Sequence, residues 1–125
     1  MNTALWIIAV ILAAAFIAAG AMKLARTRQE MAAAGMDWAD DLSDGQVKAI
    51  GLVEVLGGIG VVLPALVDIA PVLVPIAATG LAVTMAGAAV FHIRRNDPLA
   101  GLAPSLLLGA LAIVVAVGRF GPEAF

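Results

Sequence analysis

Few residues in this 125-residue chain have side chains that do chemistry. Glu54 stands in the run IGLVEVLGGIG, residues 50–60, with no charged residue within five positions on either side. His92 is the single histidine, and Lys23, Thr84 and Arg119 complete the set. A carboxyl and an imidazole are groups that exchange protons with a bound molecule. The plainer readings are a packing pair for Glu54, an interfacial residue for His92, a snorkelling cation for Lys23 and an interfacial anchor for Arg119. The absence of cysteine excludes disulfides, iron–sulfur ligation, thiol redox chemistry and covalent haem within the chain. One histidine supplies two axial haem ligands only if two subunits share the haem. Any redox role therefore uses a diffusing cofactor or a partner, and the chain is not a complete oxidoreductase alone.

The elements that position these groups follow from composition. The chain is 63% hydrophobic and only 13% charged, against about 25% charged in a soluble domain. With so little polar surface to cover a core, it reads as an integral membrane protein of one domain. No basic stripe points to nucleic acid. A membrane-spanning helix needs roughly 20 apolar residues, and four stretches supply them, at about 3–25, 46–67, 71–93 and 98–120. The fold class is all-α, a transmembrane four-helix bundle. Ser43 and Gln46 form a capping box for the second span. Asp68 is expected to cap the third, with Pro71 in its first turn, and Asp97 the fourth, with Pro98 as first helical residue. Pro75 and Pro104 are expected to kink their spans. The first span lacks the charge polarity of a cleaved signal peptide, because Lys23, Arg26 and Arg28 follow it.

Orientation follows from lysine and arginine. Six of the seven basic residues fall in or beside the first and third loops, which places those loops in the cytoplasm and both termini outside, in the plasma membrane. In the first loop, Met31, Gly35, Trp38 and Leu42 fall at helical spacing among acidic residues. They predict a short amphipathic helix at the membrane surface, between spans one and two, with Trp38 as anchor. Glu54 lies about 12 Å in from Gln46 at 1.5 Å per residue. Thr84 is two turns deeper than His92 and so roughly level with Glu54, and Lys23 ends the first span on the same side. Arg119 is at the opposite face. A lone acid at this depth costs at least about 2.5–3.5 kcal/mol on insertion scales. Glu54 should therefore face inward and pair with Lys23, bond His92 or Thr84, or hold its proton with a raised pKa. Glycines crowd the spans, as close helix packing in lipid requires.

The order AAGAMKL at 18–24, IGLVEVLGGIGVVLP at 50–64 and AATGLAVTMAGAAVFHIRR at 77–95 resembles the DoxX-like membrane proteins. The motif positions are Gly20 and Lys23; Gly51, Glu54 and Gly57; Met85, Gly87, Ala88 and His92, with the prolines Pro64 and Pro104. The resemblance implies a compact four-helix membrane bundle and a quinone-linked redox setting, with the chain a subunit of a membrane redox complex. It carries over no established catalytic residues. The expectation is a polar pocket in the cytoplasmic half that takes a quinone or another small amphipathic ligand, with Glu54, His92, Lys23 and Thr84 as ligand or proton groups. The rival readings are an assembly module, in which the polar cluster is interhelical glue and the chain contacts partner subunits or copies of itself, and a small proton-coupled carrier.

Overall fold

A computed structural model describes residues 1–125. Its elements are α1 (Asn2–Ala25), α2 (Arg28–Ala33), a 3-10 turn (Asp37–Asp41), α3 (Asp44–Gly60), α4 (Leu63–Leu66), α5 (Leu73–Arg94) and α6 (Leu99–Phe120), with no strand. Four segments, Asn2–Ala25, Asp44–Leu66, Leu73–Arg94 and Leu99–Phe120, are long and apolar enough to cross a membrane. Only 24 of 125 residues are buried, and Ile7, Val83, Leu107 and Val117 are each more than half exposed. Such a surface suits hydrocarbon, where helices satisfy their own backbone groups and apolar side chains need no cover. The chain is a multi-pass membrane protein in a lipid bilayer.

α1 packs antiparallel on α3, and α5 on α6; contacts of α3 with α5 and of α1 with α6 close the ring. Leu12 and Phe16 of α1, Leu81 and Met85 of α5, and Ala112 and Val115 of α6 form the central core. α3 contributes mainly glycine faces. A Cβ on Gly20 would lie 2.5 Å from the Gly51 carbonyl oxygen, and one on Gly58 would lie 3.2 Å from that of Ala13. α1 and α3 therefore meet backbone to backbone. Burial of apolar surface drives little association in lipid, so this close approach carries the packing.

Several ends differ from expectation. The second span arrives in two pieces, α3 and α4, because Pro64 has no N–H to donate to the Gly60 carbonyl and sits instead in the first turn of α4. Asp68 does not cap the third span. It turns the chain at φ 53°, and α5 begins at Leu73 without a side-chain cap. Nor does Asp97 cap the fourth: Pro98 occupies the cap position and α6 begins at Leu99. Pro104 lies within α6, whereas Pro75 falls in the first turn of α5, where its missing N–H costs no helical bond.

The first loop is amphipathic as its spacing predicts, but it is a short helix and a 3-10 turn, not one continuous helix. The break falls at Gly35, whose φ is +96°. Met31, Ala39 and Val47 are buried together, with Trp38 and Leu42 against them, so the apolar face turns onto the start of α3. Capping boxes open both flanking helices, Thr27 with Glu30 on α2 and Ser43 with Gln46 on α3.

Candidate functional site

The glycine contact between α1 and α3 determines what Glu54 meets. Lys23 follows Gly20 by three residues, and Glu54 follows Gly51 by three. Helical side chains lean toward their own N-terminus. In antiparallel neighbours the two therefore lean toward each other, back to the level of the glycines. Lys23 Nζ lies 2.6 Å from Glu54 Oε1, with the side chains 12% and 3% exposed. Of the partners open to Glu54, the lysine is the one it takes. The contact is short but not aligned as a hydrogen bond, and Oε1 is buried with no hydrogen-bond partner. The acid keeps accepting capacity inside the bundle.

The end of α1 is itself held. Lys48 Nζ donates to the carbonyls of Lys23, Leu24 and Arg26 at 3.0, 2.7 and 2.9 Å, satisfying orphan acceptors at a helix C-terminus where a cation is also favoured by the helix dipole. This fixes the backbone from which the Lys23 side chain reaches inward.

His92 is positioned by the end of α5. Asn96 takes the left-handed conformation at φ 59°, Asn96 N–H donates to Ile93 O at 3.0 Å and Asp97 N–H to His92 O at 3.0 Å. This is a Schellman turn, and it folds Asp97 back over the imidazole. His92 Nδ1 and Asp97 Oδ2 are 2.6 Å apart. That hydrogen bond first, then the Arg95 guanidinium, holds the Asp97 carboxyl below the ordinary carboxylate range against its partial desolvation. An ionised Asp97 only accepts, so Nδ1 carries the proton and Nε2 is left without a protein partner. Arg95 donates to Asp97 at 3.1 Å, to Asp41, and lies 3.5 Å from Asp37. It thus ties the first loop to the third.

Lys23, Glu54, Thr84 and His92 all line one cleft of about 470 Å³ between the helices, at the end of the bundle that carries the first and third loops. Lys23–Glu54 forms one wall and His92 the other. Thr84 adds less than its hydroxyl promises, because Oγ1 donates to its own helix at Gly80 O, 2.8 Å away; it bonds neither Glu54 nor His92. Arg119 is outside the cleft, at the end that carries both termini. There it is buried, donates to Asn2 Oδ1 and Glu123 O at 2.7 and 2.9 Å, and lies 4.0 Å from the centre of the Phe125 ring. No three His, Cys, Asp or Glu side chains gather as a metal site needs.

Two further residues belong to the cleft. Trp38 closes its mouth, with Lys23 Nζ 5.7 Å from the ring centre and the His92 ring edge-on at 6.2 Å. Ser105 of α6 lines the cleft too. Its spacing with Gly101 and Gly109 marks it as a packing residue, and nothing in the sequence says that its face points inward. Trp38 carries a sequence signal, its place on the apolar face of the first loop, but not the fold-back that brings that face over Lys23.

The chemistry available is an acid–base pair, an oriented imidazole and a hydroxyl around a mainly apolar space. No curated protein and no solved structure matches the chain. A family model described as the DoxX-like family matches residues 7–115. The order of glycine–lysine, glycine–glutamate and methionine–histidine motifs lies within that match, and the chain belongs to the DoxX-like family.

Proposed function

We propose that this protein binds a small amphipathic molecule of quinone type in the cytoplasmic half of the membrane, as a ligand-binding subunit of a membrane redox system. The observation that carries the reading is the convergence of Lys23, Glu54, Thr84 and His92 on one cleft of about 470 Å³, within the 300–1,000 Å³ range of small-molecule pockets. A quinone oxygen needs a hydrogen-bond donor, and its reduction consumes protons. The ammonium of Lys23 is the donor on one wall, while Glu54 and His92 are the proton-exchanging groups. The chain brings no electron carrier, so electrons come from a partner. The cytoplasmic placement rests on the basic residues of the first and third loops.

The assembly reading has one observation in its favour: Glu54 already has a lysine at 2.6 Å, as a purely structural pair would. Titration of purified protein with a quinone analogue separates the two. Saturable binding weakened by Glu54→Gln and by His92→Ala is the expected result. Equal, weak binding in all three proteins would sink the ligand reading. A cysteine introduced at Ser43 tests orientation, since labelling from the outside alone overturns the cytoplasmic placement.

A further inference from the structure

Beside the cleft lies a separate groove with no lining residue in common with it. Val53, Leu56 and Gly57 of α3 face Ala77, Gly80 and Leu81 of α5 across a shallow, wholly apolar channel of about 310 Å³, open toward lipid. α3 and α5 run antiparallel, so Glu54 and Thr84 stand at one level, and Gly57 and Gly80 stand about one turn, roughly 5 Å, further from the loops. On α5, Thr84 of the cleft lies one turn from Gly80 of the groove and donates to its carbonyl at 2.8 Å; on α3, Glu54 of the cleft is next in sequence to Val53 of the groove. Cleft and groove thus lie end to end on the α3–α5 seam, the polar one nearer the membrane surface and the apolar one nearer its middle.

The two glycines of the groove have different surroundings. A Cβ on Gly57 would lie 2.5 Å from Leu81 Cδ2, so this glycine lets α3 and α5 touch and closes the groove from behind. A Cβ on Gly80 would meet nothing within 4 Å. Close packing inside the protein therefore does not explain the missing side chain at Gly80, and its absence leaves the channel open along α5.

We infer that the ligand is a tailed amphiphile, with its hydrogen-bonding head among Lys23, Glu54 and His92 and its hydrocarbon tail along the groove past Gly80 into the bilayer. The inference rests on the proposed ligand site and narrows the ligand from any small amphipathic molecule to one with a chain. It also sets the direction of entry, from the hydrocarbon along the seam, with the head arriving beneath Trp38. Hydrophobic transfer gives the tail little reason to leave lipid, since lipid chains are as apolar as leucine. What the groove adds is dispersion contact and a fixed direction that orients the head.

The test uses full-length protein in phosphatidylcholine vesicles with two probes: a tail-less methoxy-substituted benzoquinone, and the same head on an alkyl chain bearing a photoreactive diazirine. Cross-links from the tailed probe are mapped by mass spectrometry. Labels on residues 53–57 and 77–81, displaced by excess tail-less head, are expected. Gly80→Leu, whose side chain enters open space, should lower groove labelling about tenfold, equivalent to roughly 1.4 kcal/mol of tail contact, and leave the affinity of the tail-less head unchanged. Gly80→Ala provides a smaller obstruction of the same channel and should lower labelling less. Labels competed by the head but scattered over the lipid faces of α1 and α6 would overturn the tail placement and leave the head site standing. A tail-less head that fails to bind the wild type would overturn the proposed function itself.

Discussion

The backbone contact between α1 and α3 is open to a direct test by adding one methyl group at each of two glycines. In Gly20→Ala the new Cβ lies 2.5 Å from the Gly51 carbonyl oxygen and 2.9 Å from Val55 N, both backbone atoms that no rotamer change moves aside. Ordinary contact begins at 3.4 Å, so the helices must part by several tenths of an ångström or more. Overpacking of this kind costs about 1–3 kcal/mol. Alanine returns up to about 1 kcal/mol of helix propensity, which obscures the effect in a single variant. Gly80→Ala provides the correction, because it has the same propensity gain and meets nothing within 4 Å. The difference between the two variants should therefore isolate the contact, at roughly 1–3 kcal/mol, with Gly80→Ala at least as stable as the wild type. Equilibrium unfolding in mixed micelles, with dodecyl sulfate as denaturant, measures both. If Gly20→Ala were as stable as Gly80→Ala, the helices would not be in backbone contact there, and the account of how Lys23 finds Glu54 would fail with it.

The other predictions concern the charges. Lys23→Met should destabilise by about 3–5 kcal/mol if it strands an ionised Glu54, whereas Lys23→Met with Glu54→Leu should recover most of that loss; a double variant as unstable as the single one in the same micelle titration would contradict a paired role. Asp97 is held below the usual carboxylate range mainly by His92, so its contribution is present above the unfolded-state value of about 3.8 and is lost as pH falls through the lower folded value. The wild type minus Asp97→Asn stability difference should shrink as pH falls below about 4; a difference constant from about pH 4 down to about pH 2 would show that the His92 and Arg95 contacts do not form.

How much of this was legible in the sequence depends on the range of each interaction. Span number, the capping box at Ser43 and the placing of Lys23, Glu54, Thr84 and His92 toward the same end of the bundle follow from local pattern and helix rise, and all appear in the structure. The caps assigned to Asp68 and Asp97 do not. In both cases a residue suited to a helix start is taken by the preceding turn: Asp68 adopts a left-handed conformation, and the Schellman turn at Asn96 carries Asp97 to His92. Asp97, standing before Pro98, suits either role, and the left-handed φ at Asn96 sends it to the turn. Lys48 counts in the sequence as one of six basic residues that orient the chain, yet its ammonium is spent on three carbonyls of α1. That contact links residues more than twenty positions apart, beyond what periodicity reads. Trp38 is missed as a cleft residue for the same reason.

The packing also accounts for where the cleft lies. α1 and α3 close through Gly20–Gly51 and Gly58–Ala13, so no space remains between them beyond the Lys23–Glu54 pair. α3 and α5 close only in the half nearer the termini, where Gly57 meets Leu81 and Gly60 meets Ala77. Toward the loops the α3 face carries Ile50 and Glu54, and the α5 face carries Thr84, Ala88 and His92, with the cleft between them. The glycines that draw Glu54 to a lysine on one side and those that join α3 to α5 further down thus leave its other side uncovered at the level of the acid. A pair needed only to fix helix register would be as well placed at the α1–α3 contact with α5 packed over it. That the second face stays open, beside the His92 imidazole held by Asp97, is the observation on which the proposed ligand role of this acid rests.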